Sequence, residues 1–159
     1  MGAGKTTIGK ALASQLHLEF ADTDNEIERR TGADIPWIFD VEGEEGFRDR
    51  EQQVVEEMTL MDRVCLATGG GVVMRPQNRQ ALAARGFVIY LHATLDEQLR
   101  RTSKDRRRPL LNNGNPRDTL AELMELRDPL YREIADHVID TDSSSPRSVA
   151  QRLVRELEG

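Results

Sequence analysis

The chain has 159 residues, of which 38% are hydrophobic and only 4% aromatic. This length and composition fit one domain with a mainly aliphatic core. Acidic side chains outnumber basic ones by 28 to 22, and the net charge of -6 argues against a general nucleic-acid-binding protein. Since no stretch is typical of a signal peptide or a membrane span, we expect a cytoplasmic protein without membrane partners.

The first residues, MGAGKTTIGKALA, match the second half of the phosphate loop GxxxxGK(S/T). In that loop, glycines let backbone N–H groups surround an anion, the lysine reaches terminal phosphates and the last hydroxyl holds a magnesium ion. A flexible N-terminus ahead of a helix is the alternative, but the amphipathic stretch that follows at once favours nucleotide binding. The expected nucleotide-binding residues are Gly2, Ala3, Gly4, Lys5, Thr6 and Thr7.

Short apolar runs alternate with longer amphipathic ones along the chain, which is typical of a parallel sheet covered by helices. The expected strands are residues 18–21, 64–68, 87–93 and 137–141. The expected helices are residues 6–16, 25–31, 46–61 and 77–85, one from a Thr94/Glu97 capping box to Arg101, one opened by Asn115 and Pro116, and one with Pro146 in its first position. Because loops at the carboxyl ends of parallel strands line one crevice, we expect ligands there.

Two aspartates, Asp22 and Asp24, follow the first expected strand. If the strand extends through them, their spacing points both carboxylates the same way. Asp22 would then help to hold magnesium, and Asp24 would accept a proton from, or orient, a hydroxyl acceptor. The alternative is a pair of aspartates that cap the next helix, and it is about equally favoured by the pair alone. The position just after a phosphate-loop helix favours the functional interpretation.

Arg48 and Arg127 stand where an anionic substrate would need them, because a guanidinium group can grip a carboxylate through two parallel hydrogen bonds. Both have a structural alternative, ion pairing within a helix. The acidic neighbours that would serve are Glu44, Glu45 and Glu51 for the first arginine, and Glu122 and Asp128 for the second.

Three consecutive glycines, Gly69, Gly70 and Gly71, follow the strand VCLAT. Such a run lets the backbone approach a ligand closely with free N–H donors. A flexible turn is the alternative, but ordering three glycines costs entropy, so their place at the end of a strand favours binding.

Residues 102–116 form a long, charged connection that contains the run Arg106, Arg107 and Arg108. A loop of this length in a compact domain is typically a lid or a disordered segment. The run is alternatively a solvated charged loop, and we expect at most one of its arginines to touch phosphate.

Together these motifs resemble those of the shikimate kinases, small members of the P-loop nucleoside monophosphate kinase superfamily. The resemblance extends over essentially the whole chain. It rests on GAGKTTIGKALA, DTD, IFDVEGEEGFRDRE, TGGGVV, RRPLL and RDPLYREIAD. It implies one P-loop kinase domain over residues 1–159, with a substrate-binding helical region at about 25–61 and a lid at about 102–116.

The activity that this resemblance implies is ATP-dependent phosphorylation of the 3-hydroxyl of shikimate, with Mg2+ and as a monomer. Asp24 would bind the shikimate hydroxyls and act on the attacking one. The carboxylate would be gripped by the two arginines, Arg48 and Arg127. Glu51 would orient the first of these, and the pocket would be closed by Gly69, Gly70 and Gly71.

For the nucleotide, the resemblance assigns the transferring phosphoryl group to Lys5 and Arg108. Thr6 and Asp22 would hold the magnesium ion. Arg101 and Pro146 match the positions that sandwich the adenine. Phosphoryl transfer needs positioning and charge neutralisation, which agrees with what these residue types supply.

The chain departs from the family in one respect. The family strand order is 2-3-1-4-5, and the central first strand, with the start of the phosphate loop, is missing from this sequence. We therefore expect the natural protein to begin further upstream. For the chain as given, we expect four strands with a gap between the one near residues 64–68 and the one near 87–93.

Two other functions fit parts of the pattern. Another small-acid kinase of the same fold, such as a gluconate kinase, would also need arginines, although DTD, FRxxE, GGG and RxPLY together fit the shikimate enzymes better. A truncated relative that binds nucleotide or acid without catalysis is the second alternative, because half of the phosphate loop is absent.

Overall fold

A computed structural model describes residues 4–102, 115–142 and 144–158. The helices are α1 (Lys5–Leu16), α2 (Thr23–Thr31), α3 (Ile35–Met58), α4 (Pro76–Arg85), α5 (Leu95–Thr102), α6 (Pro116–Ile134) and α7 (Pro146–Glu158). The strands are β1 (Glu19–Asp22), β2 (Val64–Ala67), β3 (Ile89–His92) and β4 (His137–Asp140), and a 3-10 helix spans Gly70–Met74. The alternation of strands and helices confirms the predicted α/β fold.

All four strands lie at the predicted places, with ends that differ by one or two residues. The expected helix starts at Asn115 and Pro116 are confirmed, since the Asn115 side chain caps α6 by accepting from the backbone N–H of Arg117. The predicted capping box is half formed. The N–H of Glu97 donates to the Thr94 hydroxyl, but the Glu97 carboxylate pairs with arginines of its own helix instead of the Thr94 N–H.

Helix α3 is longer than predicted, because only its second half was expected, over residues 46–61. Its start is fixed by Asp34, whose carboxylate accepts from the Trp37 N–H at 2.9 Å, and by Pro36 in the first turn. Gly43, at φ 76° and ψ 176°, interrupts the helix with a kink. Helix α3 therefore consists of two helical segments on either side of Gly43, and the second segment carries Arg48.

The strands pair in parallel as β1 with β2 and β3 with β4. Glu19 lies opposite Val64 in the first pair, and Ile89 lies opposite His137 in the second. Within the described residues, no strand joins the two pairs. The predicted gap between β2 and β3 is thus confirmed, and the order matches 2-3-1-4-5 with the central position open.

A cavity of about 720 Å3 lies between the two strand pairs. We call it the cleft. Its walls are the whole of β2, most of β3 and one side of α1, and the phosphate-loop residues Gly4, Lys5, Thr6 and Thr7 also line it. Backbone donors and acceptors on the facing edges of β2 and β3 have no strand partner in the described part of the chain.

Three apolar clusters hold the helices in place. One joins α1 to α7 around Ile8 and Leu153, a second joins α2 to α3 around Ile27 and Ile38, and a third packs the 3-10 helix on α3 and α4 through Val73. None of the described helices is long and apolar enough to cross a membrane. The predicted helical region at about 25–61 coincides with α2 and α3. The predicted lid lies mostly outside the described residues, so this division stays a prediction.

Candidate active site

The start of α1 meets the end of β1 at a charged corner. Gly4 caps α1 in the left-handed region, at φ 80°, a conformation that favours glycine. The Lys5 ammonium lies 3.2 Å from the Asp22 carboxylate and 3.3 Å from that of Asp24. The N-terminal N–H groups of α1 receive no side-chain cap, and its first turn carries no acidic residue. This helix start therefore suits an anion.

The two aspartates converge by a different route from the one we predicted. β1 ends at Asp22, and Asp24 already belongs to α2, so the strand does not extend through both. The Asp22 carboxylate caps α2, accepting from the N–H groups of Asp24 at 2.8 Å and Asn25 at 3.4 Å. The capping interpretation is thus correct for Asp22. It coexists with the contact to Lys5, because the turn brings both carboxylates to one ammonium.

Arg48 and Glu51 form a buried ion pair on the second half of α3. Their atoms Nη1 and Oε1 are 2.9 Å apart, and the two residues are 6% and 0% exposed. Arg48 also contacts Glu44 at 3.3 Å, so the helical pairing that we considered is present. Burial raises the pKa of Glu51 above its ordinary value, against the opposing charge of Arg48. Pairing of this kind fixes the direction of the guanidinium group.

Arg127 lies buried on α6, at 4% exposed. The expected alternative, a pair with Glu122 or Asp128, is wrong, because Asp128 instead accepts from Tyr90 and Arg132. The Nε of Arg127 has no hydrogen-bond partner among the described residues. Burial lowers the pKa of Arg127, and the nearby charge of Arg48 acts in the same direction. Two guanidinium groups held close together suit an anionic ligand.

The glycine triplet packs directly against these side chains. A Cβ on Gly69 would lie 2.8 Å from Asp24 Oδ1, and one on Gly71 would lie 2.2 Å from Arg48 Nη2. The triplet leads into the 3-10 helix, whose Val72 carbonyl accepts from the Asn78 amide at 3.0 Å. The flexible-turn alternative is therefore wrong. Glycine is needed here because the backbone approaches charged groups too closely for a side chain.

Three buried polar atoms of this site have no hydrogen-bond partner within the described chain. They are Asp24 Oδ1, Glu51 Oε2 and Arg127 Nε. Their residues are close enough for the charges of Asp24 and Arg127 both to act on Glu51. Unpaired buried polar groups are costly, so such groups are commonly placed to bind a ligand. One donor and two acceptors match a ligand that carries both an anionic group and hydroxyls.

The residues expected at the nucleotide base lie near the start of α1 and the end of β4. A Cβ on Gly4 would be 3.7 Å from Pro146 Cγ, so Pro146 stands beside the loop and also opens α7. Arg101 donates to the carbonyl of Thr141 at 2.8 Å and to its hydroxyl at 3.1 Å, next to the end of β4. The remaining expected nucleotide-binding residues, Gly2, Ala3 and Arg108, lie outside the described residues.

The donor set expected for magnesium consists of oxygen atoms. Asp22 Oδ1 caps α2, whereas Oδ2 makes no cap and lies 3.2 Å from Lys5. Thr6 follows Lys5 in the first turn of α1. No group of three or more His, Cys, Asp or Glu residues in the described ranges could hold a metal. Mg2+ is commonly held by one or two carboxylates together with substrate phosphates and water, so this pair fits the ion.

Tyr131 belongs to the site and was not expected from the sequence. Its hydroxyl donates to the carbonyl of Gly70, and its side chain packs against the cluster of the 3-10 helix. A signal was available, because Tyr131 follows Arg127 by four residues and therefore lies on the same face of α6.

Comparisons with known proteins place this chain in a family. A family model described as Shikimate kinase matches residues 1–158. The chain is 59% identical to the shikimate kinase of Pseudomonas paraeruginosa over 157 residues, which are 99% of this chain and 91% of that protein. It is 56% identical to the shikimate kinase of Vibrio parahaemolyticus over 158 residues, which are 99% of this chain and 92% of that protein.

Solved structures agree with this. The fold is similar to that of the shikimate kinase from Acinetobacter baumannii in complex with shikimate, with a TM-score of 0.97 and 49% identity. That likeness covers 99% of this chain and 88% of the other. It is also similar to the enzyme from Bacteroides thetaiotaomicron, with a TM-score of 0.89 and 32% identity over 100% of this chain and 94% of that one. The chain therefore belongs to the shikimate kinase family of phosphotransferases.

Proposed function

We propose that this chain binds shikimate in the pocket of unpaired polar atoms and phosphorylates its 3-hydroxyl from ATP. The observation that carries this assignment is the set Asp24 Oδ1, Glu51 Oε2 and Arg127 Nε, buried beside the Arg48 guanidinium without partners among the described residues. A cyclic acid with several hydroxyl groups satisfies all three atoms. An acceptor without the acid would leave two guanidinium groups close together without an anion.

In this assignment, Arg48 and Arg127 hold the carboxylate of the acceptor. They belong to separate elements, α3 and α6, and two guanidinium groups can orient the acceptor better than one. Glu51 holds the Arg48 fork in place from behind. Gly69 and Gly71 allow the backbone to close over the ring, because any larger residue would strike Asp24 or Arg48.

Asp24 supports the reacting hydroxyl. One carboxylate oxygen, Oδ2, contacts Lys5 at 3.3 Å, and the other, Oδ1, is unpaired and buried next to Gly69. Oδ1 accepts a hydrogen bond from the hydroxyl, orients its oxygen and can take its proton as the phosphoryl group arrives. Lys5 belongs to the phosphate loop and contacts this carboxylate, so its charge is near both acceptor and donor.

The nucleotide occupies the start of α1, where free backbone N–H groups and Lys5 meet the phosphates. Thr6 and Asp22 Oδ2 would hold Mg2+, which supplies charge neutralisation between the phosphates when bound. Arg101 and Pro146 would contact the base, and Arg108 would approach the transferred group. Positioning and electrostatic stabilisation then account for the catalysis, without a covalent intermediate.

The assignment is tested by supplying ATP with shikimate, or with gluconate as a matched acid acceptor, and following ADP release. We expect turnover with shikimate, and phosphorus coupling to the proton at carbon 3 in the NMR spectrum of the product. Turnover with gluconate alone would favour the rival kinase. Calorimetric binding of shikimate and ATP without any turnover would favour a non-catalytic relative.

A further inference from the structure

The Tyr131 hydroxyl connects two parts of the proposed acid site. It donates to the carbonyl of Gly70, the middle residue of the glycine triplet. Gly69 and Gly71 on either side pack on Asp24 and Arg48. The hydrogen bond from α6 therefore anchors the middle of a segment that packs on both of these side chains.

The same hydroxyl lies beside Arg127. Burial raises the pKa of Tyr131, and the positive charge of Arg127 opposes that shift, which places the two groups in direct interaction. The hydroxyl has one proton, which is used on Gly70, so its oxygen is the part that can accept from the guanidinium group. The Tyr131 hydroxyl thus donates to the glycine triplet and lies beside the Arg127 guanidinium group.

A second tyrosine fixes the ring. The centroids of Tyr90 and Tyr131 are 4.8 Å apart, and the Tyr90 hydroxyl donates to Asp128 at 2.7 Å. Asp128 is held in turn by Arg132 at 2.9 Å. The two tyrosines are alike in ring and partial burial but differ in partner. Tyr90 contacts a carboxylate away from the proposed pocket, whereas Tyr131 contacts the pocket itself.

We propose that Tyr131 is a positioning residue for the acceptor acid, one that aligns the Arg127 guanidinium with the glycine triplet so that both close on the same carboxylate-bearing ring. This rests on the proposed function of the pocket. The Tyr131 hydroxyl bonds to Gly70 and not to the phosphate loop. Although its ring also lines the cleft, we therefore expect its main effect on binding of the acceptor.

The test compares Tyr131→Phe with Tyr90→Phe in the full chain. Each variant loses one hydroxyl and keeps its ring and the ring contact. We expect Tyr131→Phe to raise the KM for shikimate about tenfold, with the KM for ATP unchanged and kcat within about twofold, since one hydrogen bond to a positioned group is removed. Tyr90→Phe should leave all three constants unchanged. Thermal melts of both variants show whether they are folded.

A second acceptor tests whether Tyr131 acts on acceptor binding through Arg127. In an analogue with a hydroxymethyl group in place of the carboxylate, the arginine grip is gone, so Tyr131→Phe should no longer raise the KM. An equal rise for shikimate and for the analogue would overturn the proposal and indicate a general loss of packing. So would an unchanged KM for shikimate, or a rise in the KM for ATP of the same size.

If the proposed function is wrong, the result is different: the unaltered chain does not turn over shikimate at all. In that case, calorimetric titration of shikimate into the unaltered chain and the two variants makes the same comparison without catalysis. We expect weaker binding for Tyr131→Phe alone, and equal affinities, or no binding by the unaltered chain, would overturn the proposal.

Discussion

The proposed acid pocket consists of closely packed charged groups, whereas the cleft between the strand pairs is a cavity lined mainly by apolar residues. In the pocket, side chains from three elements contact one another, with an ion pair at 2.9 Å and a glycine segment fitted against charged groups. In the cleft, apolar residues of β2 and β3 face a cavity of about 720 Å3, and the facing strand edges have no backbone partner in the described ranges.

The difference indicates which ligand depends on which region. Arg48, Glu51 and Arg127 do not line the cleft, whereas Gly4, Lys5 and other phosphate-loop residues do. Acid binding should therefore respond to changes in side chains of the pocket. The affinity for nucleotide should change when a strand is placed in the cleft. Gly70 and Tyr131 line the cleft and also touch the pocket, so they are the junction between the two.

The largest effect is expected from Asp24→Asn. A carboxamide can still form hydrogen bonds but cannot accept the hydroxyl proton at neutral pH, so kcat should fall by about 10^2- to 10^4-fold. Binding of shikimate and ATP, measured by calorimetry, should persist. Near-normal turnover by this variant would remove Asp24 from the catalytic role and leave it as a residue of the charged corner.

Replacing either pocket arginine by lysine should separate the two ligands. Arg48→Lys and Arg127→Lys keep the positive charge but lose the planar fork, so we expect the affinity for shikimate to fall about 10- to 100-fold. The affinity for ATP should change little, because neither side chain lines the cleft. Titrations of both ligands check this, and equal losses for the two would contradict the separation of pocket and cleft.

The position of the cleft and several residues of the acid pocket could be predicted from the sequence. The gap between β2 and β3 followed from the strand order that the family resemblance implies, and Arg48 and the triplet followed from motif positions. Two features could not be predicted because they depend on packing between distant segments. Asp24 reaches Lys5 through a helix cap and not through an extended strand, and the partner of Gly70 is a tyrosine 61 positions away.

The first half of α3 was missed for a more local reason. Asp34 followed by Pro36 is a recognisable helix start, but Gly43 and Gly46 interrupt the apolar pattern after it. Burial of Ile35 and Ile38 against α2 overrides the weak local preference. Tertiary packing, and not propensity, decides the structure of that segment.

The third prediction concerns the cleft. A version of the chain extended upstream by about ten residues, with an apolar run followed by Gly-Pro, should place a strand of roughly five or six residues between β2 and β3. We expect its melting temperature to rise by at least about 5 °C, because unpaired edges gain backbone partners. Its affinity for ATP should rise about tenfold or more as the phosphate loop gains backbone donors.

The matched control for the cleft is a second extension of equal length in which the apolar run is replaced by Gly and Ser. It cannot bury side chains between the strand pairs, so it should melt like the chain of 159 residues. Affinity for shikimate should rise less than affinity for ATP in the apolar extension. If both extensions and the shorter chain behave alike in melts and titrations, the cleft is not a strand site.

The smallest effect contrasts a buried carboxylate of the pocket, Glu51, with a partly exposed one, Glu26. Burial raises the pKa of Glu51, whereas Arg29 and Arg30 hold the pKa of Glu26 down to about 2. For Glu51, the folded state binds its proton more tightly than the unfolded state. Its contribution to stability is therefore present below the unfolded pKa of about 4.5 and is lost as pH rises through the folded pKa. For Glu26 the contribution is present above about 4.5 and is lost as pH falls towards 2.

The variants Glu51→Gln and Glu26→Gln should consequently differ from the unaltered chain with opposite pH slopes. As pH rises from 4.5 to neutrality, Glu51→Gln should gain stability relative to the unaltered chain, whatever constant loss follows from weakening the Arg48 pair. As pH rises from 2 to 4.5, Glu26→Gln should lose stability relative to the unaltered chain, by at most about 1 kcal/mol because solvent reaches the arginines and screens this surface pair. Urea unfolding across pH measures both slopes. Slopes of the same sign would mean that Glu51 is held ionised by its two arginines, and the pocket would then be an ion-pair network already satisfied without a ligand.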